Sequence, residues 1–246
     1  MKEKYLEFQR EFYEKIENLN DEIVGNYQWH EHFPYETYLL YENGDVRKPI
    51  FDNFSDKLAL DFGCGPGRMI ARMNKVFKRA DGADIARNCV EEAKKRNPDS
   101  NIYLTSGNNL GDAPADTYDF IYSTISFHHI SSYEARKDIL LDMKSKLKEG
   151  GKITLQMAFI NNNDHFKHPT NNAKYFENNT LCKHTNGGQD CVIMPMDVEE
   201  VKQDFNTIFN NTKIWYCDIT PMKEDLNGIK HNEYWATHWI FIHAHK

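Results

Sequence analysis

The chain has 246 residues and a net charge of −7, with 30 Lys and Arg against 37 Asp and Glu. That balance argues against a broad grip on a phosphate backbone, which needs clustered cations, so no nucleic-acid partner is expected. The 40% apolar content can fill one α/β core, no apolar run approaches the ~18 residues of a membrane span, and the first residues lack the apolar centre of a signal peptide. Cys64, Cys89, Cys182, Cys191 and Cys217 form no paired framework, so reduced thiols, a cytoplasmic location and no membrane contact are expected.

In chain order, Tyr5, Phe8, Phe12, Ile16 and Leu19 recur at helical spacing and predict an amphipathic helix over Glu3–Leu19 that docks on the domain. Asn20–Arg47 is dense in aromatic side chains (Tyr27, Trp29, His30, His32, Phe33, Tyr35, Tyr38) and reads equally as a lid or as a cap packed on the sheet. Next comes Leu58-Ala-Leu-Asp-Phe-Gly-Cys-Gly-Pro-Gly67: a buried strand over Lys57–Phe62, an acid, a glycine turn and then a helix over Arg68–Lys78. A strand over Ala80–Ala83 closes on Asp84, followed by a helix over Ala86–Arg96 and a strand over Ile102–Thr105. The strand over Phe120–Ser123, the helix over Tyr133–Lys148 stopped by Gly150-Gly151, and the strand over Lys152–Met157 continue the alternation that marks a parallel doubly wound sheet.

Beyond this core, Asn161–Pro195 is a long asparagine-rich insertion. Its Cys182, His184 and Cys191 match no standard zinc spacing, and no metal is expected. Asp197 caps a helix reaching Phe209, and strands are predicted over Lys213–Ile219 and Tyr234–His245.

Charge discriminates between ligands for the glycine turn. A dinucleotide loop is G-x-G-x-x-G and sets a pyrophosphate on the helix N-terminus, whereas here G-x-G-x-G follows Asp61, which would repel it. The same carboxylate suits S-adenosylmethionine, which carries an ammonium and a sulfonium and no phosphate. Asp84, about 20 residues on, is placed to accept both ribose hydroxyls of an adenosine. A nicotinamide-dependent oxidoreductase is disfavoured by the same two features.

These residues resemble the class I S-adenosylmethionine-dependent methyltransferases, in particular the small-molecule branch labelled type 11, over roughly 54–157. Asp61-Phe-Gly-Cys-Gly-Pro-Gly67 is similar to the first motif, with Asp61, Gly63, Cys64, Gly65 and Gly67 implied at the cofactor. Gly82-Ala-Asp84-Ile85 is similar to the second, where Ile85 would pack on adenine. The third motif usually holds an acid, and Thr105-Ser-Gly-Asn-Asn-Leu110 offers Asn108 or Asn109 in its place. Tyr118 to Ile130 resembles the next strand and loop, which places Ser123 at the cofactor border.

The resemblance implies an α/β, Rossmann-like doubly wound sheet with a final antiparallel strand, an N-terminal helical cap and an insertion before the last helix. One domain, 1–246, is expected: cap or lid 1–53, cofactor core 54–158, variable insertion 159–196, and C-terminal helix and strands 197–246.

Methyl transfer is an in-line displacement, so the protein must align a nucleophile and, for a hydroxyl, take its proton. An imidazole suits that role. His128 is the favoured base over its neighbour His129, with His30, His165 and His168 as rivals from the variable segments. The expected reaction is methylation of an oxygen or nitrogen on a small, sugar-like or hydroxylated acceptor. A protein side chain as acceptor, or a cofactor-binding protein without catalysis, are the alternatives. An Asn-Pro-Pro-Tyr type motif of base-flipping amino methyltransferases is absent after Tyr122.

Overall fold

Side-chain alternation decides how the sheet is covered. Leu60, Phe62, Ile121, Ile153, Leu155, Ile240 and Ile242 join one buried cluster. Their neighbours in sequence, Ala59, Phe120, Tyr122, Trp239 and Phe241, join another. Successive residues of a strand point to opposite faces, so a sheet apolar at both parities must be covered on both sides.

The computed structural model describes residues 2–19, 33–159, 175–176, 195, 197–218 and 238–246. Seven described strands make one sheet: β1 (Leu58–Phe62), β2 (Arg79–Asp84), β3 (Ile102–Leu104), β4 (Tyr118–Ser123), β5 (Leu147–Phe159), β6 (Asn210–Asp218) and β7 (His238–His245). They lie in the order β3-β2-β1-β4-β5-β7-β6. The first five are parallel, and β7 runs antiparallel between β5 and β6. The doubly wound α/β fold with a final antiparallel strand is therefore present. Chain order reverses at β1 and β4, and the crevice beyond their carboxyl ends is where such sheets hold ligands.

Six described helices accompany the sheet: α1 (Lys2–Glu14), α2 (Tyr35–Leu40), α3 (Arg68–Met73), α4 (Arg87–Arg96), α5 (Tyr133–Lys146) and α6 (Val198–Asn206). Ser132 caps α5 by accepting from Ala135 N–H at 3.2 Å, and Asp197 caps α6 by accepting from Glu199 and Glu200 N–H. Each satisfies N–H groups that the first helical turn leaves without a partner.

Several boundaries differ from the sequence reading. α3 stops at Met73, because Asn74 caps it and turns the chain, accepting from Ala80 N–H at 2.7 Å to open β2. Gly150-Gly151 does not end α5: the chain leaves the helix at Leu147, already extended, and Gly150 at φ 72 lies within β5. There the register against β4 shifts between Tyr118 and Phe120. In α1 the period is helical, but the buried face is Tyr5, Leu6 and Gln9, while Phe8 and Phe12 are half-buried. A polar residue occupies the inner face because it has a backbone partner there.

The described part of the aromatic N-terminal segment packs on the sheet. Tyr35 stacks on Trp239 at 5.4 Å, Tyr38 stacks on Phe241 at 5.3 Å, and Phe33 meets Trp239 edge-on at 4.9 Å. Trp215 Nε1 donates to the Tyr38 carbonyl at 2.9 Å, and Arg72 ties α3 to α2 through Glu36 and the Phe33 carbonyl. Tyr27, Trp29, His30 and His32, and in the insertion Asp164, His165, His168, Cys182, His184 and Cys191, lie outside the described residues.

Candidate active site

A cavity opens at the carboxyl ends of β1, β2 and β4. Asp61, Gly63, Cys64, Gly65 and Arg68 form one wall, with Asp84, Ile85, Cys89, Thr105 and Gly107 next to it. Thr124, Ile125, Ser126, His129 and Ile130 line it from the segment after β4, and α1 contributes Tyr5, Leu6, Gln9 and Tyr13.

At the glycine turn the backbone is fixed by β2: Gly63 and Cys64 N–H both donate to the Ala83 carbonyl, at 2.8 and 3.1 Å. Gly63 is at φ 71, and a Cβ there would sit 2.3 Å from Ser126 Cβ. A side chain at this point would push the loop after β4 out of place. Gly67, at φ 84, has a different duty. Its Cβ would meet Asn97 Nδ2 at 2.4 Å, so this glycine lets α3 start against α4 and does not line the cavity.

Two buried carboxylates define the polarity of the site. Asp61 is 1% exposed and its Oδ1 has no hydrogen-bond partner among the described residues. Burial pushes its carboxyl well above the usual carboxylate range, with Arg68 opposing and Asp84 adding to the rise. An unpaired buried acceptor is costly and calls for a donor. Asp84 is raised by burial too, held back by the N–H groups of Ala86, Gly65 and Ile85. Its oxygens accept from Gly65 N–H at 2.8 Å and Ala86 N–H at 2.9 Å, and each keeps a lone pair for a further donor. An orphaned acid, a second acid on the neighbouring strand and a glycine backbone together fit the ammonium and ribose of S-adenosylmethionine.

Besides Gly67, four assigned residues fall outside the cavity wall. Asn108 and Asn109 spend their amides elsewhere: Asn108 Oδ1 accepts from Ser106 Oγ at 2.9 Å while its Nδ2 donates to Asp138 at 3.4 Å, and Asn109 Oδ1 accepts from Gly111 N–H at 3.0 Å. Such residues stabilise turns by bonding nearby backbone. Thr105 and Gly107 face the cavity in their place. Ser123 is fully buried at the end of β4, behind Thr124. His128 is likewise buried, and His129 forms the wall, the two Nε2 atoms 3.2 Å apart. The two rings meet edge-on with centroids 4.4 Å apart, and of the pair His129 lines the cavity.

Sequence reasoning missed Arg68 and the α1 residues. Among the described residues Arg68 is the only Lys or Arg on the wall, and it lies over the Tyr35 ring at 5.3 Å. Its position directly after the glycines was a usable signal. Tyr5, Gln9 and Tyr13 sit four residues apart, a helical stripe, but nothing in the sequence says that this stripe faces a cavity about 60 to 120 residues distant.

The sheet order and the acid-flanked glycine turn define a class I methyltransferase fold with an S-adenosylmethionine site. The family described as "Methyltransferase domain" matches residues 35–191, more than half of the chain, and the chain belongs to it. It is 30% identical over 98 residues to the tRNA (carboxymethyluridine(34)-5-O)-methyltransferase of Saccharomyces cerevisiae, covering 40% of this chain and 34% of that protein. The chain spans less than two thirds of the length of the curated relatives it matches. Among solved structures, an S-adenosylmethionine-dependent methyltransferase of Listeria monocytogenes superposes with a TM-score of 0.55 at 20% identity, over 80% of this chain and 94% of that one. A Haemonchus contortus phosphoethanolamine N-methyltransferase, solved with S-adenosyl-L-methionine, gives 0.52 at 15% identity, over 78% and 49%. These likenesses concern the fold. No described helix is long and apolar enough to cross a membrane, and no group of three metal-binding side chains occurs among the described residues.

Proposed function

We propose that this protein transfers a methyl group from S-adenosylmethionine to an oxygen or nitrogen of a small hydroxylated acceptor, with His129 as the base. The observation that carries the cofactor half is the orphaned Oδ1 of Asp61 inside the cavity. Asp61 would hold the ammonium, Arg68 the carboxylate, Asp84 the ribose hydroxyls, and Ile85 with Gly107 the adenine. When bound, the cofactor supplies an electrophilic methyl carbon. The chain's own work is to align the acceptor and to accept its proton at a His129 ring nitrogen. His128, the histidine favoured from sequence, lies behind His129 and would orient it. Cys64, Cys89 and Cys217 are buried and form no disulfide among the described residues, which suits a reducing, cytoplasmic setting.

A second reading is favoured by one observation: the yeast relative is named for a tRNA acceptor. The net charge of −7 weighs against it, since RNA binding draws on cationic surface. Methyl transfer from tritiated S-adenosylmethionine to panels of hydroxylated metabolites, amines, peptides and bulk tRNA discriminates these acceptors. Label in tRNA alone would overturn the small-molecule reading, and cofactor binding with no transfer to any panel would favour a non-catalytic role.

A further inference from the structure

The acceptor end of the cavity is a loop with two unusual supports. It begins at Ile125, a β-branched residue at φ 61, in the left-handed region that such side chains avoid. The Ile125 N–H donates to buried Gln156 Oε1 at 2.6 Å, which holds the strained residue from the β5 side. A conformation of this kind persists only where its surroundings over-determine it.

The other support comes from a different part of the chain. Tyr5 Oη, on α1, donates to the His129 carbonyl at 2.7 Å and accepts from Ser131 N–H at 2.7 Å. Gln9 Nε2 donates to the same carbonyl at 3.3 Å. Thus one turn of α1 holds the backbone on both sides of Ile130, directly after His129. The same helix walls the cofactor cavity with Tyr5, Leu6, Gln9 and Tyr13. Leu6 also stands beside Gly107, 3.0 Å from where its Cβ would lie.

We propose that Tyr5 is a positioning residue: its hydroxyl couples the seating of α1 over bound cofactor to the shape of the Ser126–Ser131 loop, and so to the placement of His129. This rests on the cofactor reading above. Displacing α1 removes the Tyr5 and Gln9 donors from the His129 carbonyl and the acceptor from Ser131 N–H, and leaves strained Ile125 to relax. Packing of α1 against bound cofactor would hold these three bonds in place, so that cofactor binding orders the loop that carries His129.

The test is Tyr5→Phe, which keeps the ring and deletes the latch, followed by hydrogen exchange with and without S-adenosylhomocysteine. In the wild type the ligand is expected to slow exchange together over residues 5–13 and 127–131. The variant should bind S-adenosylhomocysteine within about threefold of wild type and protect 5–13, while 127–131 exchanges about tenfold faster than in the loaded wild type, the range for losing one or two buried hydrogen bonds. Exchange in β4 and β5 should not change, which separates a latch from general loosening. Equal protection of 127–131 in the variant overturns the coupling and leaves the cofactor site standing. Failure of the wild type to bind S-adenosylhomocysteine overturns the cofactor reading, and the coupling with it.

Discussion

The two ends of the cavity are built in opposite ways. The cofactor end uses Asp61 to Arg68 and Asp84 to Ile85, two short segments on adjacent parallel strands, and its work is done by backbone N–H groups and fixed carboxylates. The acceptor end gathers Tyr5 and Gln9 from α1 and Thr124 to Ile130 from the loop after β4, joined by side-chain bonds to backbone across more than 100 residues. On the proposed assignment, local construction serves a general cofactor site and long-range construction a particular acceptor site, because loops and caps vary more freely than the scaffold they decorate.

If the acceptor end carries proton removal, the largest effect belongs there. His129→Ala should lower turnover by about 100-fold or more while leaving S-adenosylhomocysteine affinity within a few-fold, as expected for loss of a general base. His128→Ala should cost less, and a larger loss there than in His129→Ala would return the base assignment to His128.

At the cofactor end, Asp84→Ala should weaken S-adenosylmethionine binding by about 1.5–3 kcal/mol through loss of charge-assisted bonds, as read by calorimetry. Unchanged affinity would remove Asp84 from the site. Asp61→Asn should weaken the cofactor too, yet raise the melting temperature of the ligand-free protein by a few degrees. The reason is the sign of the shift: the folded pKa of Asp61 is raised, so its contribution to stability is present at low pH and lost as pH rises through that value. For the same reason binding of the cofactor ammonium should release a proton wherever the free protein keeps the Asp61 carboxyl protonated, and calorimetry in two buffers of different ionisation enthalpy measures it. No buffer dependence there would mean that Asp61 is already ionised in the free protein.

The smallest effect is expected at Asn108, whose replacement by Ala should change cofactor affinity by less than about 0.5 kcal/mol, as for a surface turn outside the cavity. A loss comparable to Asp84→Ala would restore it to the adenine site.

The sequence by itself determined the sheet and its polarity. Strand parity in Leu58–Phe62 and Tyr118–Ser123, the glycine turn and the position of Asp61 are local signals, since burial on both faces and charge next to a turn depend on neighbours a few residues apart. Tertiary structure alone decided which members of local pairs face the ligand. His129 over His128, Thr124 over Ser123, and Thr105 and Gly107 over the two asparagines follow from where each loop leaves its strand and which amides the turn consumes. It also decided that α1 walls the cavity while α2 packs on Trp239, although both precede β1 and both are apolar on one side. A helical stripe states that a face is buried, and only the packed molecule states against what.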